Sequence, residues 1–358
     1  LEGISFYNKV INKLIENNIE PFVTLYHFDL PFALVEKYNG WEGRETVYAF
    51  ERFAKICFKE FGDRVKYWQP HNEQNLIVRV NERINIYDEN DEYKIDKMRA
   101  QMDYNMCLAH ALAVNACHEM IPDSKIGPAV SSSVTYPLTC KPEDVYAARM
   151  NDNFKVYYML DIHQYGEYPG YYMNYLKERN IMPVMKEGDK SILKKAKMDF
   201  IAVNYYRTNC AEALKANNEH PFGSREGTVD FNMYGLFKMS MNPNLKATEY
   251  GAAIDPSGLR VALNEYWQRY HLPLIITENG LGTPDILTED GKVHDEYRID
   301  YLRSHIEACA LAIEDGVEMI GYCPWSFMDL LSSAQGFRKR YGLVYTNRTD
   351  DELSLIHI

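Results

Sequence analysis

The stretch "LPLIITENGLG", residues 272–282, decides how this chain is read. Leu274, Ile275 and Ile276 form a short apolar, β-prone run, which ends at Thr277, Glu278 and Asn279 just before Gly280. Runs of this kind, bounded by turn residues, read as strands. Where they alternate with helical patterns, they indicate parallel βαβ units.

The alternation extends outward in both directions. Candidate strands lie at 21–27 ("PFVTLYH"), 65–72 ("VKYWQPHN"), 125–131 ("KIGPAVS"), 199–206 ("DFIAVNYY"), 272–279 and 319–326 ("MIGYCPWS"). Between them run amphipathic segments such as "VYAFERFAKICFKEFG" (47–62) and "YNMCLAHALAVNACHEM" (104–120). The expected fold class is therefore α/β, with six strand–helix units visible. Residues 218–250 read as an irregular insertion between two units. No short repeat, low-complexity segment or linker divides the chain, so a single domain over 1–352 is expected. The last six residues, "LSLIHI" (353–358), resemble a translated sequencing adapter and read as a non-native tail.

Composition excludes several function classes. A net charge of −12 over 358 residues disfavours nucleic acid and anionic membrane, because a polyanion needs a broad basic face. Seven cysteines without paired CxxC spacing point to neither a disulfide framework nor a zinc site, and fit a reducing cytoplasm. No apolar run reaches the roughly 18 to 20 residues of a membrane span.

In an eight-fold α/β barrel the active site lies at the C-terminal ends of the strands. The residues at those ends here are His27, Asn72, Glu73, Tyr206, Glu278 and Trp325. Glu73 alone reads more often as a charge at a helix start, and Glu278 alone is ambiguous. Taken together, two glutamates at the ends of different strands can converge on one glycosidic bond. A retaining glycosidase holds such a pair ~5 to 5.5 Å apart, one as nucleophile and one as acid/base. Two carboxylates that close do not both ionise easily, so the acid keeps its proton until the nucleophile's charge is consumed in the covalent intermediate. That chemistry needs no metal and no cofactor.

The stretches "PFVTLYHFDLP", "FGDRVKYWQPHNEQN", "DFIAVNYY", "IDPSGLR", "LPLIITENGLG" and "YLRSHI" resemble family-1 glycoside hydrolases, which are retaining (β/α)8 TIM-barrel enzymes. The resemblance covers nearly the whole chain. It implies Glu73 as acid/base, Glu278 as nucleophile and Tyr206 as a hydrogen-bond donor to the nucleophile. It also implies His27 and Asn72 on sugar hydroxyls and Trp325 as the sugar platform. Where the family usually has Phe-Asn-Glu, this chain has His71-Asn72-Glu73, and His71 reads as a buried substitute for the phenylalanine rather than a partner of the site.

The basic triplet Arg338-Lys339-Arg340 could be a solvated turn. The resemblance gives it another meaning. Family members acting on free sugars carry Glu-Trp after the eighth strand, where this chain has Ser332-Ser333. Ser332, Lys339 and Tyr341 have the Ser-x6-Lys-x-Tyr spacing of the 6-phospho-β-glycosidase branch, where hydroxyl donors and an ammonium suit a phosphate. The small Ser333 favours glucosides over galactosides. Lys339 is the expected phosphate contact, and Arg338 and Arg340 are expected to be solvated neighbours.

By the same resemblance, the first two barrel strands and a C-terminal helix are expected outside this chain, making it an incomplete barrel. The leading reading is a cytoplasmic hydrolase of 6-phospho-β-glucosides with a small-molecule substrate. A 6-phospho-β-galactosidase and a β-glucosidase for unphosphorylated substrates are its rivals. A catalytically dead sugar-phosphate binder would have no use for both glutamates.

Overall fold

In the computed structural model, which describes residues 2–77, 92–214, 237–332, 335–348 and 353–357, short strands and longer helices follow one another as the sequence alternation requires. The chain divides into two units, each discontinuous in sequence.

The first unit comprises Leu1–Ser131 and Phe154–Ala202. Its sheet joins β1 (Phe22–Tyr26), β2 (Tyr67–His71) and β3 (Lys125–Ile126) in parallel, with Phe22 opposite Tyr67 and Tyr67 opposite Lys125. The run expected as one strand over 125–131 is instead split, with β4 (Ala129–Ser132) resuming after Gly127-Pro128. Proline has no N–H for a ladder, and a Cβ on Gly127 would lie 2.2 Å from the Phe200 carbonyl oxygen, so glycine alone permits the approach. Asp199 and Ala202 donate their backbone N–H groups to Ile126 and Pro128, continuing the pairing there.

Helix Arg44–Phe61 buries Val47, Phe50, Ala54, Cys57, Phe58 and Phe61, a 3–4 residue repeat that gives it one apolar face. That face packs against helix Glu92–Met120. From Met102 to Cys117 most residues of the second helix are buried, whichever way they point, so it forms the centre of this unit's core. Burial of the two helices removes their cysteines from solvent: Cys57, Cys107 and Cys117 are all enclosed, and burial pushes their thiols up.

The second unit comprises Ser132–Asn153 and Val203–Ile358. One sheet, absent from the sequence reading, places β5 (Thr135–Pro137) parallel to β7 (Asn209–Ala213), and β7 antiparallel to β8 (Phe237–Ser240). The stretch read as an insertion at 218–250 thus contributes a strand. Between β5 and β7 in sequence comes β6 (Ile201–Tyr205), whose last three residues belong to this unit. It lies beside β9 (Leu274–Glu278), which pairs in parallel with β10 (Met319–Tyr322). Helices Pro256–Tyr270 and Glu296–Glu314 pack on each other. The chain closes with a hairpin of β11 (Val344–Arg348) and β12 (Leu353–His357), the second strand lying in the stretch set aside as a tail. No helix among the described residues is long and apolar enough to cross a membrane.

Candidate active site

In the first unit, the end of β2 delivers Asn72 and Glu73. Asn72 donates its backbone N–H to Tyr26 at 2.8 Å and Glu73 donates to Ala129 at 3.0 Å, so both neighbouring strands fix this turn. Glu73 has φ of +46°, a left-handed conformation that costs a residue with a Cβ about 1–2 kcal/mol. The residues that follow hold it there. Gln74 donates to the Asp103 carboxylate at 3.0 Å, while Asn75 donates to Ser131 and Lys155 carbonyls and accepts from the Ser131 N–H. All four residues, Asn72 to Asn75, are buried. The exposed His27 lies at the end of β1, with its Nε2 3.2 Å from the Asn72 side-chain nitrogen.

His71 lies behind this turn among the rings of Tyr26, Trp41 and Phe50, the last only 4.6 Å away between centroids. Neither of its ring nitrogens finds a hydrogen-bond partner among the described residues. It occupies a space suited to a phenyl ring. Beyond it, the rings of His110 and His163 lie 3.8 Å apart between centroids, tilted by 35°. Burial holds all three imidazoles well below their ordinary value, His110 down to about 3, so they are neutral at physiological pH.

In the second unit, β9 ends on Glu278, whose Oε2 accepts a 2.8 Å hydrogen bond from the Tyr206 hydroxyl. The turn carrying Tyr206 is fixed by Asp255, a residue of the "IDPSGLR" stretch that sequence reasoning left without a role. Tyr205 donates to the Asp255 carbonyl at 2.6 Å, and Thr208 and Tyr136 donate to its carboxylate. The other carboxylate oxygen caps helix Pro256–Tyr270 through the Gly258 N–H, with Pro256 at the first turn, as such a cap prefers. Asn279, fully buried, donates to the Tyr205 carbonyl and to Tyr301 and accepts from Tyr322. Its carbonyl receives the Trp325 N–H at 2.8 Å. A Cβ on Gly280 would fall 1.8 Å from the Trp325 carbonyl oxygen, which explains a glycine directly after Asn279.

The loop after β10 brings Ser332, Lys339 and Tyr341 into the same unit as Glu278. Thr283 and Arg340 bridge in antiparallel fashion, and the Tyr341 ring meets the Tyr206 ring edge-on at 6.1 Å. Ser332 is buried and exchanges backbone hydrogen bonds with Gly336. Ser333 lies outside the described residues. Lys339 makes no ion pair among the described residues. Burial, and then the charge of Arg207, push its ammonium down to about 8.

Arg340 is not the solvated neighbour the sequence led us to expect. It pairs with Asp329, whose carboxylate is inaccessible and also receives the N–H groups of Gly342 and Thr346. The partner sits eleven positions away, so the charge pattern of the triplet alone could not show it.

The model of the family "Glycosyl hydrolase family 1" matches residues 1–356. Aryl-phospho-β-D-glucosidase BglC of Bacillus subtilis is 41% identical over 98% of this chain and 74% of its own length. The 6-phospho-β-galactosidase of Clostridium acetobutylicum is 37% identical over 97% of this chain and 74% of its own. Among solved structures, the family 1 β-glucosidase from Thermotoga maritima superposes with a TM-score of 0.85 at 32% identity, covering 99% of this chain and 75% of that one.

Proposed function

The chain belongs to glycosyl hydrolase family 1, of (β/α)8-barrel fold, and from that premise we propose that it hydrolyses 6-phospho-β-D-glucosides with retention, releasing glucose 6-phosphate. Glu278 is the nucleophile in this reading. Its carboxylate attacks the anomeric carbon, the glycosidic C–O bond breaks, and Glu73 delivers a proton to the departing oxygen. Water, deprotonated by Glu73, then attacks the glycosyl–Glu278 ester and releases the sugar. Tyr206 holds the attacking oxygen pair in line through its 2.8 Å hydrogen bond. His27 and Asn72 bind sugar hydroxyls, and Trp325 forms the platform beneath the ring.

The observation that carries the substrate assignment is the loop 332–341. Ser332 and Tyr341 offer hydroxyls and Lys339 offers an ammonium, with no carboxylate partner among the described residues, in the unit that carries Glu278. A tetrahedral dianion suits that set of donors, and a neutral hydroxymethyl group does not require it. The relatedness to an aryl-phospho-β-D-glucosidase supports the same reading. The galactosidase relative favours a second reading, 6-phospho-β-galactosides; the small Ser333 weighs toward glucosides. We place the protein in the cytoplasm, on its cysteine usage and on substrates that arrive already phosphorylated.

The test is turnover of paired chromogenic β-glucosides and β-galactosides, each with and without a 6-phosphate. The phosphorylated glucoside should have the highest kcat/KM. Equal or better turnover of the unphosphorylated glucoside would overturn the substrate assignment.

A further inference from the structure

The Lys339 ammonium sits 4.9 Å from the centroid of the Tyr250 ring and 5.1 Å from that of Tyr341. Both distances lie within the range in which a ring face attracts a cation. Lys339 is half-buried and forms no ion pair among the described residues, so these two rings are what replace its lost hydration. Tyr341 is two residues away in the same loop, but Tyr250 comes from the segment before helix Pro256–Tyr270. Its hydroxyl donates to the Arg338 carbonyl at 3.3 Å, so it grips the backbone of the loop as well as the lysine head.

The floor of this arrangement is Gly282. A Cβ there would lie 2.4 Å from Lys339 Cε and 2.7 Å from Tyr341 Cζ. The long lysine stem therefore lies flat on a backbone with no side chain, and its position is set from below by Gly282 and from the sides by two rings. Such a stem otherwise samples many rotamers, and confining it removes part of the entropy that binding an anion would cost.

We propose that Tyr250 is a positioning residue for phosphate recognition: with Tyr341 it clamps the Lys339 ammonium between two ring faces and presents it, already ordered, to the 6-phosphate of the substrate. This rests on the reading of 332–341 as a phosphate site. It assigns to Tyr250 a role in substrate selection, although Tyr250 does not touch the reacting atoms. A deprotonated Lys339 would have nothing to offer the rings, so the clamp and the charge act together.

The experiment compares wild type with Tyr250→Phe and Tyr250→Leu, using the phosphorylated and unphosphorylated chromogenic glucosides. The quantity read is the ratio of the two kcat/KM values. Tyr250→Leu should lower that ratio roughly three- to thirty-fold, mainly through KM for the phosphorylated substrate. Tyr250→Phe keeps the ring face and should retain most of the ratio. A merely structural tyrosine would lower both kcat/KM values together, and an unchanged ratio in Tyr250→Leu overturns the proposal. So does an equal fall in Tyr250→Phe, which would assign the effect to the hydroxyl. A substrate-independent measurement separates this from the parent reading. After reductive 13C-methylation, the Lys339 resonance, identified by its loss in Lys339→Arg, should be shifted upfield by ring currents in wild type and Tyr250→Phe, and not in Tyr250→Leu. An upfield Lys339 signal in an enzyme that does not prefer the phosphorylated glucoside would leave the clamp standing and remove the phosphate assignment. Absence of the shift in wild type would remove the clamp itself.

Discussion

Thr283 and Arg340 exchange both backbone hydrogen bonds, at 2.9 Å and 2.8 Å, so the loop leaving Glu278 and the loop carrying Lys339 are joined residue to residue. Gly282 lies at the centre of that join. Replacing it with alanine inserts a methyl group where Lys339 and Tyr341 now lie, and the lysine stem must move. Gly282→Ala should reduce kcat/KM for the phosphorylated glucoside about ten-fold, a displacement-sized loss for a charge-assisted contact. Steady-state kinetics on both substrates check it, with the unphosphorylated one expected to lose less.

Removing Glu278 tests the nucleophile. Glu278→Ala should abolish turnover, and azide or formate should restore it by entering the vacated position, giving a product of inverted configuration. A retained anomer in the rescued reaction, read by NMR, would exclude Glu278 from this role. For Tyr206→Phe, loss of a hydrogen bond to a charged group is worth roughly 1.5–3 kcal/mol. The expected result is a ten- to hundred-fold fall in the rate of glycosyl-enzyme formation, measured before steady state.

Glu73→Ala separates leaving groups. Substrates that need no protonation on departure should lose little in the first step, and those that do should lose much. Equal losses across a series of aryl leaving groups would remove Glu73 as the acid.

The neighbours Lys339 and Arg340 should behave differently. Lys339→Ala should raise KM for the phosphorylated substrate about ten- to a hundred-fold. In wild type the ammonium, held down to about 8, is charged below that pH and lost above it. The preference for phosphorylated substrate should therefore decline as pH rises through 8, a loss that Lys339→Arg would postpone. Arg340→Ala instead strands the buried Asp329 carboxylate. Its cost should appear as stability, about 3–5 kcal/mol by denaturant unfolding.

Protonation of buried histidines sets an acid limit. In the unfolded chain each imidazole takes its proton near 6.5, but in the fold His110 resists until about 3, and His71 and His163 are likewise held low. Between those values the unfolded state binds more protons, so stability is complete above 6.5 and falls as pH drops toward 3. Each such histidine contributes a slope of up to ~1.4 kcal/mol per pH unit. His71→Phe should reduce the slope of unfolding free energy against pH below 6.5. It should also raise stability at neutral pH by about 1–3 kcal/mol, because a buried imidazole with no hydrogen-bond partner among the described residues is replaced by a ring that needs none.

The strands that carry the candidate site were readable because their residues advertise them. "FVTLY" and "LIITE" are dense in β-branched and aromatic side chains, and each ends on polar residues before a turn. The sheet of β5, β7 and β8 was not readable for the opposite reason. Thr135–Pro137 is three residues long and ends in proline, and "NCAEA" carries no β preference, so tertiary pairing alone makes them strands. The candidate site residues that the sequence suggests are those with chemistry of their own: carboxylates, a tyrosine, a lysine. Asp255, Asn279 and Tyr250 were missed because their significance lies in partners distant in sequence, such as Tyr136, 119 positions from Asp255, and Arg338, 88 from Tyr250.

Both units are made of two separated stretches, and the stretches interleave: residues 132–153 of the second unit emerge from a ribosome before residues 154–202 of the first. Neither unit can therefore finish before synthesis of the other has begun. The first cannot close its core until residue 202 has cleared the exit tunnel, and segment 132–153, carrying β5, must wait, unpaired, for β7 to be made. At the ~5–20 residues per second of translation, that wait lasts several seconds. Over that interval β5 exposes unpaired backbone on the nascent chain, an edge that other chains could pair with.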